Sequence, residues 1–314
     1  MNSMTIEAAK RSFPRGVRPH FFEAAERRRE LEQEIFSTLL HAGYREIILP
    51  IIDASEPYRA VVDEATRRRS YRFVDREGEL LEIRSDFTPM VARSLGPMLE
   101  SLDLPLRVSY RGDVVRCESS RLSDDGEFYQ LGAELLGLDE PQGDLEILKV
   151  AVDAVRSGGV EPSIVFSHEG LIERVIDEVD DQVAARLRRA ISEKHRDEVE
   201  RLAVSMSAGR RRLLLSICSG LAAEDELREA GFDTLVSGIE TIRSEMEDVR
   251  IRFACDEVEP LPTYYTGLRF KLFDATGRVE LGRGGRYDDL YAALGTSVSA
   301  AGFTISLDRV EGIR

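Results

Sequence analysis

Residues 301–310 read AGFTISLDRV, and Ala301, Phe303, Ile305 and Leu307 fall on alternate positions. A period of two puts all four side chains on one face of a strand. The alternation recurs at Val249, Ile251 and Phe253, and at Leu268, Phe270 and Leu272. Strands buried on both faces of a doubly wound parallel sheet read as continuous apolar runs. Alternation therefore points to antiparallel strands with one covered face.

Working outward, Leu281–Asp288 reads LGRGGRYD. Its glycines let backbone approach backbone or ligand closely. The stretch is neither a phosphate-binding Walker loop nor a GxGxxG fingerprint, and by itself it reads as a hairpin bend. Leu106–Tyr110 and Gly126–Leu136 are further strands, with the charged loop SSRLSDDG between Val115 and Phe128. Tyr44–Pro50 (YREIILP) reads as a buried strand closed by proline, and Gly78 as a turn between Tyr71–Asp75 and Leu80–Arg84. A helix is expected from about Phe22 to His41, where Ala24, Leu31, Ile35 and Leu39 form one apolar stripe before Gly43. A second is expected over Asp144–Arg156, stopped by Gly158 and Gly159. From Leu171 to about Asp248 the period is helical throughout, with short helices broken by Gly209, Gly220, Gly231 and Gly238. The fold expected is α+β: a core domain of residues 1–170 and 249–314, interrupted by a helical insertion at 171–248.

The 314 residues are 42% hydrophobic and 32% charged, with a net charge of -15. That charge disfavours a protein held mainly by a nucleic-acid backbone. No run of 18 apolar residues offers a membrane span, and the N-terminus lacks the apolar stretch of a signal peptide. Cys117, Cys218 and Cys255 form no disulfide framework, so a cytoplasmic location is expected. Those cysteines and His20, His41, His168 and His195 lack the spacing of a zinc site, so no metal is expected.

Several residues carry chemistry. Arg116 and Glu118 stand at a strand end in VVRCE, where an arginine forks onto a phosphate or carboxylate or simply forms a surface ion pair. Gln130 and Glu134 lie four apart on a strand and face the same side, either to receive an ammonium or imidazole group or as part of a solvated face. Tyr264 and Tyr265 read first as core or rim packing. No residue set identifies a nucleophile.

The order of these blocks is more specific than any one of them. AGYREIILPIID (42–53), EIRSDFTPMVAR (82–93), SYRGDVVRCESS with EFYQLGAELLG (109–137), TYYTGLRF (263–270), LGRGGRYDDLYAALG (281–295) and AGFTISLDRV resemble, in sequence, the motifs of the histidyl-tRNA synthetase catalytic core. The resemblance implies a class II synthetase-like antiparallel sheet flanked by helices and a homodimer through the first motif. It implies a pocket in which Asp86, Thr88 and Gln130 hold the amino group of histidine and Glu134 and Tyr265, with Tyr264 beside it, hold the imidazole. Arg116, Glu118 and Arg309 would be the remnant of a nucleotide-phosphate pocket.

The departures are coherent. PLPTYY stands where the synthetase has RGLDYY, so Pro260 replaces an activating arginine. Loss of one such donor costs roughly 3–4 kcal/mol of transition-state stabilisation. Asp124 and Gly126 replace two arginines of the loop in the second motif, and Asp86 replaces a glutamate. The sequence ends at Arg314, so no anticodon-binding domain is expected. A kept amino-acid pocket with degraded catalytic and tRNA parts resembles the regulatory subunit of ATP phosphoribosyltransferase. That family implies no catalysis by the chain itself and no cofactor. It implies a catalytic ATP phosphoribosyltransferase subunit as partner, activation of that subunit in histidine biosynthesis, and feedback by free histidine. The alternative is a truncated ligase that activates histidine or a related amino acid with ATP. A histidine-binding chaperone without a partner is a third reading.

Overall fold

The structure, a computed structural model, describes residue 13 and residues 16–62, 67–117, 126–220, 222–258 and 264–314. Helix α1 (Glu23–His41) buries Leu31, Ile35, Phe36 and Leu39 along one stripe. Glu23 and Glu26 in its first turn and His41 in its last complement the helix dipole. Then come β1 (Arg45–Glu46), β2 (Ile52–Ala54), β3 (Arg72–Val74), β4 (Leu80–Ile83), α2 (Thr88–Leu95), β5 (Leu106–Val115), β6 (Glu127–Leu136), α3 (Gln142–Ser157) and β7 (Pro162–His168). A run of helices follows: α4 (Glu169–Ile176), α5 (Asp181–Ser192), α6 (Arg196–Leu202), α7 (Ala208–Cys218), α8 (Glu224–Glu229) and α9 (Asp233–Glu245). The chain closes with β8 (Arg250–Phe253), β9 (Leu268–Asp274), β10 (Glu280–Arg286), α10 (Asp288–Ala293), β11 (Ala300–Ser306) and α11 (Leu307–Glu311).

Eight strands form one sheet in the order β1-β5-β6-β11-β10-β9-β7-β8, and β2-β4-β3 form a second, smaller one. The interior of the large sheet is antiparallel, as the alternation predicts; β1 on β5 and β8 on β7, at its two edges, are parallel. One face carries Leu131, Ala133, Leu135, Ala301, Phe303, Ile305, Phe270 and Leu272, and packs with α1 and α3 into the main core. The period-two residues of 301–307 are all buried there.

Three expectations need correction, and one strand goes beyond them. LGRGGR is not a hairpin bend but the central strand β10, between β11 and β9. A Cβ on Gly282 or Gly284 would run into the carbonyl oxygen of Thr304 or Gly302, so the glycines permit close strand approach. YREIILP is not a buried strand: only the two exposed residues of β1 pair, on the sheet edge, and Ile48 is 90% exposed. Ile47 and Leu49 pack against the cluster of Phe87, Val91 and Val108, while Ile48 points away from it into the open. Gly209 and Gly238 lie inside α7 and α9, whereas Gly220 and Gly231 end helices in the left-handed region at φ +65 and +82. Pro162–His168 was not anticipated as a strand, because β7 lies inside the sheet and SIVF shows no alternation.

The helices α4–α9 share an apolar cluster of Leu171, Ile172, Val175, Leu187, Ile191, Leu214 and Ile217. Ile239, Ile242 and Met246 from the end of the segment join the main core instead. The insertion is thus keyed into the sheet at its C-terminal end.

Candidate functional site

The sheet face opposite the core is mixed: Val108, Val114 and Leu136 are buried there beside a group of polar residues. On β6 the alternation sets Gln130, Gly132 and Glu134 on that face. The register places Gly302 of β11 opposite Glu134, Thr304 opposite Gly132, and Tyr110 of β5 across from Gly132. Glycine recurs here because the space is taken. A Cβ on Gly302 would collide with Glu134 Oε2 and the Tyr287 hydroxyl, and one on Gly132 with the Tyr110 ring. Gly285 gives room in the same way to the ring of Tyr265.

Glu134 is fully buried. Its Oε1 accepts from Thr88 Oγ1 at 2.9 Å and from the Tyr110 hydroxyl at 3.1 Å. Tyr110 is itself stacked on Phe87, centroids 4.3 Å apart. Burial pushes the Glu134 carboxyl well above the ordinary carboxylate range, against the lowering effect of those two hydrogen bonds. Its Oε2 has no hydrogen-bond partner among the described residues, nor do the buried Gln130 Oε1 and the Tyr287 hydroxyl. Buried polar atoms are nearly always paired, so three orphans on one side of a sheet mark a place for a polar ligand. Gln130 Nε2 donates to Thr304 Oγ1 at 3.1 Å, which aims its amide. Tyr264, Tyr265 and Tyr287 form an aromatic wall, with centroid separations of 4.9, 5.8 and 6.3 Å.

Asp86 stands just before α2, where its Oδ1 accepts from the Thr88 backbone N–H at 3.2 Å. Arg116 lies 4.0 Å from Asp86, donates to the Ser85 carbonyl at 2.8 Å and covers the Phe128 ring at 4.9 Å. Burial lowers the Arg116 pKa, and the Asp86 charge opposes it.

Asp86, Thr88, Gln130, Glu134, Tyr264, Tyr265 and Arg116 therefore come together from four segments of chain. Thr88 donates its hydroxyl to Glu134 and so joins the two ends of the expected pocket. Gln130 and Glu134 are buried and do not lie on a solvated face. Arg309, on α11, is exposed and donates to the Glu280 carbonyl at 2.9 Å. Glu118, Asp124 and Pro260 lie outside the described residues. Sequence reasoning missed Tyr110 and Tyr287, whose positions depend on strand register. It also missed Arg84, a buried clamp that donates to the carbonyls of Leu49, Pro50 and Asp113 and stacks on Phe87. An arginine within the apolar-flanked EIRSDF was the available signal.

A family model described as histidyl-tRNA synthetase matches residues 16–310. An ATP phosphoribosyltransferase regulatory subunit from Geobacter sulfurreducens is 30% identical over 94% of this chain and 71% of its own length. The chain belongs to the ATP phosphoribosyltransferase regulatory subunits, within the histidyl-tRNA synthetase family. A crystal structure of an ATP phosphoribosyltransferase regulatory subunit/histidyl-tRNA synthetase from Bacillus halodurans C superposes with a TM-score of 0.83, at 25% identity, over 97% of this chain and 83% of that one. The fold is shared as well with a chain of the ATP phosphoribosyl transferase complex from Thermotoga maritima. The TM-score is 0.66 at 19% identity, over 89% of this chain and 97% of that one. The class II synthetase-like sheet expected from the motifs is thus the observed one. Among the described residues no helix is long and apolar enough to cross a membrane.

Proposed function

We propose that this regulatory-subunit chain is itself non-catalytic. In this reading it binds free histidine in the Glu134 pocket and assembles in the cytoplasm with a catalytic ATP phosphoribosyltransferase subunit, whose rate it raises. The observation that carries the ligand assignment is the set of three orphaned buried atoms, Gln130 Oε1, Glu134 Oε2 and the Tyr287 hydroxyl. Two of the three are acceptors and the third is a hydroxyl that accepts or donates. An imidazole ring brings N–H groups, and an ammonium group brings three donors. A charged donor beside Glu134 would also return its carboxyl to the ionised form. The aromatic wall of Tyr264, Tyr265 and Tyr287 suits a planar ring.

Histidine bound here reaches a distant active site only by favouring one of two arrangements of the complex. Such couplings amount to roughly 1–3 kcal/mol. A homodimer through the first motif is part of the proposal. Ile48, Ile51 and Ile52 are 90%, 46% and 44% exposed, and Phe73, Val74 and Leu80, in the small sheet that β2 joins, are exposed as well. Uncovered apolar residues in such number mark an interaction surface.

The test mixes the purified chain with its organism's catalytic subunit, sizes the mixture and assays it with and without histidine. Co-elution, a raised rate and its loss on adding histidine are expected. Separate species with an unchanged rate would overturn the assignment. Histidine-dependent exchange of pyrophosphate into ATP at about 1 per second or faster would instead favour the ligase reading.

A further inference from the structure

Three planar groups lie in a row behind the Glu134 carboxyl. The Arg84 guanidinium is 4.0 Å from the Phe87 ring centroid, and the rings of Phe87 and Tyr110 are stacked 4.3 Å apart with 10° between their planes. The row ends on the pocket, where the Tyr110 hydroxyl donates to Glu134 Oε1 at 3.1 Å. Its far end, at Arg84, touches no part of the pocket and has no role in the proposed function. We infer, on the reading of the Glu134 pocket as a histidine site, that Arg84 is a positioning residue for the ligand. It holds Phe87, and through Phe87 the Tyr110 hydroxyl that aims the Glu134 carboxyl.

The guanidinium is itself held on two sides. Nε and Nη2 donate to the Asp113 carbonyl at 3.0 and 2.8 Å, and Nη1 donates to the carbonyls of Leu49 and Pro50 at 3.0 and 3.1 Å. Its backbone is fixed too: the Arg84 N–H donates to the Ile51 carbonyl at 2.8 Å, and the Arg84 carbonyl accepts from the Val115 N–H at 2.9 Å. Arg84 is only 7% exposed, and Phe87 and Tyr110 are fully buried. Burial lowers the Arg84 pKa, and among the described residues no carboxylate forms an ion pair with it. Burying a cation against neutral carbonyls is costly. Its one further partner is the face of Phe87, and a planar guanidinium stacks on an aromatic face where an ammonium does not.

The chain clears space for this row. A Cβ on Gly112 would come within 2.8 Å of Arg84 Nη2 and 3.3 Å of Phe87 Cζ, and one on Gly132 within 2.5 Å of Tyr110 Cζ. Both glycines lie on the pocket side of their strands, paired to Gln130 and Tyr110 across the β5–β6 ladder. The consequence falls on the ligand atom. With Oε1 held by Tyr110, Glu134 Oε2 is the oxygen left without a partner among the described residues. A Tyr110 ring free to move would leave that oxygen without a set direction.

The experiment is titration calorimetry with histidine on the full chain, arranged as a double-mutant cycle. Arg84→Lys keeps the charge and loses the planar fork. Phe87→Leu removes the ring between Arg84 and Tyr110 and leaves the carbonyl bonds of Arg84 in place. Tyr110→Phe keeps the ring and loses the hydroxyl. Each variant alone should weaken histidine binding about threefold to tenfold, the scale of one hydrogen bond. Added to Tyr110→Phe, either of the other two should cost less than about a further twofold, because the hydroxyl they position is already gone. A general loss of structure would instead make the factors multiply in full, and full multiplication would overturn the inference. Weakening by Arg84→Lys but not by Phe87→Leu would reduce Arg84 to a clamp on carbonyls and overturn it too. So would unchanged affinity in both variants while wild type binds histidine. If the thermal midpoint shows that Arg84→Lys does not fold, the Phe87→Leu cycle decides. A wild type that binds no histidine would overturn the pocket assignment itself, and this role with it.

Discussion

The Glu134 pocket and the α4–α9 cluster are both buried, but they are built to opposite ends. In the helical cluster Leu187, Val199, Leu214 and Ile217 are 0–1% exposed and carry no polar group to satisfy. Its free energy is that of burial alone, about 25 cal/mol per Å² of apolar surface. In the pocket, Glu134 is as deeply buried, yet half its carboxylate is unpaired, and glycines rather than aliphatic side chains surround it. A carboxyl left half-paired in this way costs the unliganded fold stability, and under the proposed function a bound donor would return it. One region contributes stability; the other gives some of it up.

The contrast breaks or sharpens in three measurements. The largest effect is expected for Leu187→Ala. Truncating this fully buried side chain should cost about 2–5 kcal/mol in urea unfolding, while histidine affinity stays at the wild-type value. A matching loss of histidine binding would show that the regions are energetically one.

Glu134→Gln should show the reverse. Histidine affinity in calorimetry should fall by roughly 1.5–3 kcal/mol, the usual scale for a hydrogen bond to a charged group. The unliganded variant should be at least as stable as wild type at pH 8. The folded-state pKa of Glu134 is raised, so the folded protein holds this proton more tightly than the unfolded chain. Its favourable contribution is complete below the ordinary glutamate range and is lost as pH rises through the raised folded value. Urea midpoints at pH 5 and pH 8 should therefore differ less in the glutamine variant than in wild type. An equal pH dependence in both would mean that the carboxyl is not the group that titrates.

Tyr287→Phe is the smallest perturbation. It removes an orphaned hydroxyl and nothing else. Stability should remain within about 0.5 kcal/mol, and histidine affinity should weaken by roughly 0.5–1.5 kcal/mol. A clear loss of stability would mean that the hydroxyl is satisfied in the unliganded protein.

Alternation at 249–253, 268–272 and 301–307 made the sheet legible, and the motif order brought Asp86, Thr88, Gln130, Glu134, Tyr264 and Tyr265 forward as one site. What stayed hidden has definite causes. β7 is covered on both faces, so its residues do not alternate. The glycines of β10 and β11 look like turn residues until their neighbours' oxygens are in place. Tyr110 reaches Glu134 because a ten-residue register on β6 aligns it with Gly132. One residue of slip would send it to the core face instead.

Sequence pattern alone made legible the antiparallel strands of the large sheet and the run of helices between β7 and β8, and it brought Gln130, Glu134, Tyr264 and Tyr265 forward as candidates. These follow from period and residue chemistry, which are local. Only the tertiary structure decided that Thr88 and Tyr110 pair with Glu134, that Arg309 turns to the Glu280 carbonyl, and that Arg84 reaches the carbonyls of Leu49 and Asp113. Each of those facts depends on segments far apart in the chain meeting in one register and at one depth, and burial then sets how strongly their charges act.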